Sequence, residues 1–303
     1  MKTKFFIILS MLFSLVTRAQ QMDSVPFNGG LLFYHVYGKG KPVIILTGGP
    51  GISYQQQEEV AIEVGKQYQA ILLEQRGTGR SMPAVLDKET VNLNTAVSDL
   101  NLLLDHLHLK DAAFYGHSYG SFLAVYYASK YPARVSRLIL AGPAPFNYLG
   151  DQMTTYGNNK ECRFGLLDIE EMNKLDEKAG KGTLSKADSA TFRKLNNSTS
   201  IYNKMDIDKI MAKAGTGKMS TKTMSLMMAA YSKKVDLTND IKQLKIPVTI
   251  ICGRQDPLSF MAYEYKLLQP RIKISWIQEA GHFAMFEQPE PFYKALFTAL
   301  SDD

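Results

Sequence analysis

The chain has 303 residues, of which 45% are hydrophobic and 21% charged, so it can bury a large core and lacks the composition of a disordered protein. The net charge is +6, but no long run of Lys or Arg occurs, which argues against nucleic-acid binding. Cys162 and Cys252 show neither a disulfide framework nor zinc spacing, so we expect no metal site. A disulfide between the two cysteines is the open alternative to a buried thiol at Cys252.

The first nineteen residues have the layout of a secretory signal peptide. Lys2 and Lys4 form a basic start, residues 5–16 are almost wholly apolar, and Ala19 is a small residue at the cleavage position. The apolar stretch is too short to span a bilayer, although an uncleaved N-terminal anchor helix is the alternative. We expect cleavage after Ala19, export to the periplasm or out of the cell, and no stable membrane association afterwards. Cleavage would leave a net charge of about +3.

Short apolar runs alternate with amphipathic stretches in the first half of the chain. Residues 27–37 predict a β-hairpin around Asn28-Gly29-Gly30. Continuously apolar strands separated by helices predict a mainly parallel sheet that is covered on both faces. Four such strands are predicted, at residues 43–46, 70–73, 112–115 and 138–141. One helix is predicted at residues 97–107.

The alternation stops near Pro143-Ala144-Pro145 and resumes at residue 246. The intervening segment is rich in Lys and Met, and its Met224, Met227, Met228 and Tyr231 recur at helical spacing. That apolar face would pack on the sheet domain, line a pocket, or do both.

The sequence therefore predicts an α/β domain, residues 20–146 and 240–303, with an inserted helical cap of residues 147–239. Within these bounds we predict cap helices at residues 166–179, 186–195 and 221–234, strands at residues 246–252 and 272–277, and a final helix at residues 290–300.

The pentapeptide Gly116-His117-Ser118-Tyr119-Gly120 stands between a strand-like run and a helix-like run. A nucleophile elbow has this layout, because side chains at the two glycine positions would clash with the strand and the helix. A plain Gly-Ser turn is the alternative. We predict Ser118 as the nucleophile.

A serine nucleophile needs a base, and the base needs an orienting acid. We predict His282 as the base, because it follows the last apolar strand at the sheet edge where catalytic groups gather. Asp256 is predicted as the acid, and Asp151 is its rival. The other histidines are predicted to lie in solvent (His106 and His108), in the hairpin (His35) and under the turn (His117).

A tetrahedral intermediate needs two hydrogen-bond donors for its oxyanion. The first predicted donor is the backbone N–H of Tyr119, directly after the nucleophile. The second is the N–H of Gly49 in Thr47-Gly48-Gly49-Pro50-Gly51, with Gly48 as the fallback. This chemistry requires no cofactor.

These motifs together resemble the α/β-hydrolase superfamily, and most of all its proline iminopeptidase (prolyl aminopeptidase) branch. The resemblance covers residues 27–146 and 240–300, and it implies an α/β-hydrolase fold with a mostly parallel sheet, flanking helices and an inserted cap. From the residues alone, we predict that Arg76 braces neighbouring loops by hydrogen bonds. The motifs occur in family order: Gly48-Gly49-Pro50-Gly51, Glu74-Gln75-Arg76-Gly77-Thr78-Gly79-Arg80-Ser81, the pentapeptide around Ser118, Gly253-Arg254-Gln255-Asp256 and Gly281-His282.

Two positions depart from the family pattern. Thr47 stands where the family usually has His, and the chain's single tryptophan, Trp276, lies outside the predicted cap. Family aminopeptidases hold the substrate's amino group with cap glutamates near tryptophans, a pattern that the cap acids of this chain lack. Those acids are Glu161, Glu170, Glu171 and Glu177.

We therefore expect an exported serine hydrolase that acts on a small molecule or a short peptide. The first hypothesis is an aminopeptidase that releases N-terminal proline or other residues. An esterase, lactonase or amidase for small acyl compounds is the second, and a non-catalytic ligand-binding protein with a hydrolase fold is the third.

Overall fold

A computed structural model provides the structure of the chain and describes residues 21–148, 150–214, 219–231 and 235–301. The predicted signal peptide, residues 1–19, lies outside these residues. Among the residues described, no helix is long and apolar enough to cross a membrane.

The described part of the chain contains eight strands: β1 (Gln21–Phe27), β2 (Gly30–Tyr37), β3 (Pro42–Leu46), β4 (Gln69–Leu73), β5 (Ala112–His117), β6 (Val135–Ala141), β7 (Val248–Gly253) and β8 (Lys273–Ile277). They form one sheet in the order β1-β2-β4-β3-β5-β6-β7-β8. The first two strands form an antiparallel hairpin, in which Phe27 faces Gly30, and β2 pairs with β4 in the antiparallel sense. All other pairs are parallel, so the predicted α/β architecture is confirmed.

The central strands are apolar on both faces because each face of the sheet carries its own core. Successive side chains of a strand point to opposite faces. In β3, Ile44 and Leu46 therefore pack into the core under one layer of helices, whereas Val43 and Ile45 pack into the core under the other. Both cores are built from fully buried aliphatic and aromatic side chains, which agrees with the continuous apolar runs of the sequence.

All of the predicted helices are present in the described part of the chain. The helix predicted at residues 221–234 is described only to Tyr231. Six further helices in this part of the chain were not predicted. One of them, Gln152–Glu161, has no buried residue. The other five, Glu58–Val64, Ile207–Ala214, Thr238–Gln243, Phe260–Leu268 and Ala284–Glu287, are nine residues long or shorter. The helices are α1 (Glu58–Val64), α2 (Leu93–His106), α3 (Tyr119–Lys130), α4 (Gln152–Glu161), α5 (Leu166–Gly180), α6 (Lys186–Ser198), α7 (Ile207–Ala214), α8 (Thr221–Tyr231), α9 (Thr238–Gln243), α10 (Phe260–Leu268), α11 (Ala284–Glu287) and α12 (Pro289–Ser301).

Helices α4 to α8 all fall between β6 and β7, and they make specific contacts with the loops of the sheet. Asn159 of α4 donates to the carbonyl of Pro257 over 2.9 Å, and Thr223 of α8 donates to the carbonyl of Gly77 over 2.7 Å. The methionine face of α8 packs as predicted on the sheet domain, where Met227 is buried. The division at residues 147 and 239 stays a prediction.

The two cysteines do not form a disulfide. Cys252 is buried in β7, Cys162 is exposed after α4, and both carry free thiols. Burial raises the pKa of the Cys252 thiol, which is the expected behaviour of a structural cysteine in an apolar strand.

Candidate active site

The turn between β5 and α3 holds Ser118 in a strained conformation. Its φ of 53° and ψ of −121° are unusual for a residue with a side chain and cost about 1–3 kcal/mol. A Cβ on Gly116 would lie 2.2 Å from the carbonyl oxygen of Gly120, and one on Gly120 would lie 2.5 Å from that of Leu46. Both glycines are therefore required sterically, for the reason that the sequence pattern predicted.

Asp256 and His282 come from different loops and meet at the same sheet edge as Ser118. Nδ1 of His282 lies 2.8 Å from Oδ2 of Asp256, and the carboxylate is almost completely buried. Its other oxygen accepts the N–H of Leu258 over 2.8 Å. The tautomer that donates from Nδ1 to Asp256 leaves Nε2 of His282 with a lone pair that can accept a proton.

The end of β6 connects the serine turn with this pair. Ser118 donates its N–H to the carbonyl of Ala141 over 2.9 Å, and the next residue, Gly142, lies against the Asp256–His282 pair. A Cβ on Gly142 would be 3.0 Å from both Oδ2 of Asp256 and Nδ1 of His282. The adjacency of β5, β6, β7 and β8 in the sheet thus places the loops of Ser118, Asp256 and His282 at one edge of the sheet, although Ser118 and His282 are 164 positions apart in the sequence.

His117 lies buried beneath the turn, as predicted. Its Nε2 is 3.0 Å from the carbonyl oxygen of His282, and the centroids of the two rings are 4.7 Å apart. Burial, followed by the proximity of His282, lowers the pKa of His117 to about 3. His117 is therefore neutral at ordinary pH, and its ring supports the loop that carries His282 rather than adding charge.

The two predicted oxyanion donors differ from the fallback in their surroundings. Tyr119 is the first residue of α3, and the N–H groups of a first helical turn have no acceptor within their helix. Gly48 donates its N–H to Oε1 of Gln56 over 2.7 Å, so this donor is already engaged. Gly49 is exposed and has a φ of 118°, which a residue with a side chain rarely adopts.

Thr47 and Arg76 join the loops around the site. Thr47, which replaces the usual family histidine, receives hydrogen bonds from Nε2 of Gln75 at both its carbonyl and its hydroxyl oxygen, over 3.1 and 2.9 Å. Arg76 forms a buried two-pronged ion pair with Asp99 of α2, with 2.9 Å between Nε and Oδ2. Its guanidinium also lies 3.8 Å from the ring centroid of Phe27. The bracing function predicted for Arg76 agrees with these contacts.

The remaining candidates lie away from the pair. Asp151, the rival acid, is exposed next to α4, and His106 and His108 are exposed at the end of α2. His35 is buried and bonded to Glu74 over 2.8 Å. Sequence reasoning missed Gln56 and Glu287, which bind backbone groups of the site loops; neither belongs to a motif that marks such a function. Over the residues described, no cluster of three or more His, Cys, Asp or Glu side chains could hold a metal ion.

The family model of the α/β-hydrolase fold matches residues 41–289, so the chain belongs to this family of hydrolases. The proline iminopeptidase of Heyndrickxia coagulans is 27% identical over 283 residues, which are 88% of this chain and 94% of that protein. The resemblance to the proline iminopeptidase branch is thereby confirmed.

The solved structures that share this fold include proteins with different activities. The proline iminopeptidase of Mycobacterium smegmatis matches with a TM-score of 0.70 and 16% identity, over 92% of this chain and 97% of that one. Est816, described as an N-acyl homoserine lactone degrading enzyme, matches with a TM-score of 0.67 and 18% identity, over 91% of this chain and 99% of that one. At these identities the likeness is one of fold.

A methyl group at Gly142 is expected to disturb the site without unfolding the protein. In Gly142→Ala, the new Cβ crowds the Asp256–His282 hydrogen bond, so we expect the rate at which a fluorophosphonate labels Ser118 to fall at least about 10-fold. Gly182→Ala is the matched control, because Gly182 also has a positive φ but has open space around its Cβ position. Equal labelling rates in the two variants would contradict this prediction.

Proposed function

We propose that this chain is a serine hydrolase in which Ser118 attacks an acyl carbonyl. His282 accepts the Ser118 proton at Nε2 and delivers it to the leaving group, while Asp256 keeps His282 in the required tautomer. Water then attacks the acyl-enzyme, with His282 again as the base, and Ser118 is regenerated. The observation that carries the proposal is the Asp256–His282 hydrogen bond beside the strained turn that presents Ser118.

The oxyanion of each tetrahedral intermediate would lie between the N–H groups of Gly49 and Tyr119. The left-handed backbone of Gly49 and the position of Tyr119 at the start of α3 support this assignment. Any residue with a side chain would be strained at position 49, where φ is 118°, which is consistent with glycine there. Nothing in this sequence of steps requires a cofactor.

Replacing the nucleophile tests the proposal directly. Ser118→Ala should lose hydrolytic activity by a factor of at least about 10³, because the oxyanion donors alone give only a small residual rate. A fluorophosphonate should label the wild-type chain at Ser118, as located by peptide mass spectrometry, and should not label Ser118→Ala. A wild-type chain that binds small molecules but takes no label would instead be a non-catalytic member of the family.

For the substrate, we infer an aminopeptidase that releases N-terminal proline or another residue from short peptides. The support is the named activity of the relatives, including the Heyndrickxia coagulans protein that is matched along almost its whole length. Such an enzyme must bind the free amino group of its substrate with an acidic side chain. The cap acids of this chain do not match the family motif for that acid, so this part of the inference rests on the relatives alone.

An esterase or lactonase acting on small acyl compounds is the second candidate, and the charges of the cap favour it. Glu161 and Glu170 are exposed, and Glu171 and Glu177 pair at the surface with Lys174 and Lys181. Two partly buried residues in and just after α4 are instead cationic. They are Lys160, whose pKa is lowered to about 8 by burial, and Arg163, which interacts electrostatically with Asp256.

Blocking the substrate's amino group separates these two candidates. An aminopeptidase should cleave prolyl or other aminoacyl arylamides and lose at least about 10²-fold in kcat/KM on the N-acetylated forms, since the bound ammonium is lost. An esterase should cleave short-chain aryl esters and lactones and gain nothing from a free amine. The panel is measured side by side with Ser118→Ala as the background, and equal cleavage of free and blocked arylamides would exclude the aminopeptidase.

We also propose that the protein is exported, on the strength of the basic, apolar and small-residue order of its first nineteen residues. Expressed with its full N-terminus in a bacterial host, the mature chain should be recovered outside the cytoplasm and begin at Gln20. Intact-mass measurement checks the cleavage position. A cytoplasmic chain that still carries residues 1–19 would contradict the proposal.

A further inference from the structure

The carboxylate of Glu287 binds the loop that carries His282 from both sides of the histidine. One oxygen, Oε1, accepts the N–H of Gly281 over 2.9 Å and that of Phe283 over 3.3 Å. The other oxygen, Oε2, accepts the N–H of Tyr202 over 2.7 Å. One side chain at the end of α11 thus holds the two residues that flank His282 and one residue of the cap.

Tyr202 ends a short segment that crosses over the histidine loop, which we name the cap strap (residues 198–202). The carbonyl of Ser200 accepts the N–H of His282 over 2.7 Å, and the carbonyl of Ile201 accepts Nη2 of Arg163 over 2.6 Å. The strap is mostly buried, and a Cβ on Gly281 would lie 2.3 Å from the Ser200 carbonyl oxygen. Strap and histidine loop are therefore in direct backbone contact.

The surroundings of Glu287 make its charged form costly. Burial raises the pKa of this carboxyl, and the nearby carboxylate of Asp256 raises it further. The three N–H donors oppose that shift, and the guanidinium of Arg163 also faces the group. A carboxylate can stand here because its two oxygens accept all three N–H groups, whereas a neutral amide of the same shape has only one acceptor oxygen.

We propose that Glu287 is a positioning residue for the reaction, which fixes His282 against Ser118 by clamping the histidine loop to the cap strap. The proposal rests on the serine-hydrolase function proposed above. Its consequence is that the cap takes part in catalysis through backbone contacts with the histidine loop, in addition to any contact with substrate. Displacement of a catalytic base by about 1 Å can lower a rate by about 10²-fold, so a clamp of this kind has a measurable effect.

The test is Glu287→Gln, which keeps the shape of the side chain but sets an NH₂ donor against one or more of the three N–H groups. We expect the maximal rate of Ser118 labelling by a fluorophosphonate to fall about 10–100-fold, with the probe's half-saturation concentration within about threefold of wild type. An NH₂ group that faces a backbone N–H leaves hydrogen bonds unmade, so the melting temperature should fall modestly, and labelling is measured at a temperature at which the variant is fully folded. Endpoint labelling counts the competent sites, so that the rate refers to folded protein.

Two further variants complete the design. Glu287→Asp keeps the charge but is one methylene shorter, so Ser118 should also be labelled more slowly in this variant. If the glutamine variant does not fold, the labelling rate of Glu287→Asp tests the proposal instead. Glu290→Gln is the control, since Glu290 is an exposed glutamate at the start of the next helix. It should label at the wild-type rate.

The outcomes separate the two proposals. If the wild-type chain labels at Ser118 and Glu287→Gln labels equally fast, Glu287 is not a positioning residue and the serine-hydrolase proposal stands. A wild-type rate in Glu287→Asp would show that charge rather than reach matters, and would also overturn the clamp. If the wild-type chain itself takes no label, the serine-hydrolase proposal fails, and the clamp fails with it.

Discussion

The left-handed turn at Ser118 is the constraint around which the site is built. A non-glycine residue in this conformation is unfavourable by about 1–3 kcal/mol, so the surrounding structure must hold it there. Three features do so: the fully buried strand β5, the hydrogen bond from Ser118 to Ala141, and the absence of side chains at Gly116 and Gly120. The turn therefore exists only where β3, β5, β6 and α3 are already packed together.

The same packing explains why polar groups can be buried close to the turn. Asp256 is almost completely buried, yet its oxygens accept hydrogen bonds from His282 and from the backbone of Leu258. His117 is buried as a neutral ring, held by the carbonyl of His282. Asp256 and His117 thus each have a hydrogen-bond partner in the loop of His282, so the positions of these loops depend on one another.

The helices between β6 and β7 belong to this network through their backbone. The cap strap accepts the N–H of His282 and donates that of Tyr202, while Asn159 binds the loop that follows Asp256. These contacts are made by main-chain atoms or by residues without a motif. The sequence therefore did not predict these contacts. It also did not predict the helix α4, which has no buried residue, or the interactions of the Glu287 carboxylate.

The sequence by itself determined the strand order along the chain, the apolar strands and the tight turn at Ser118, because these follow from local patterns: continuous apolar runs and glycines at fixed spacing. Tertiary structure decided which acid meets His282. Asp151 and Asp256 both follow strands and both precede His282, but only β7 delivers its loop beside that of β8. The physical reason is that a hydrogen bond depends on a distance of about 3 Å, and that distance is set by the packing of strands far apart in sequence.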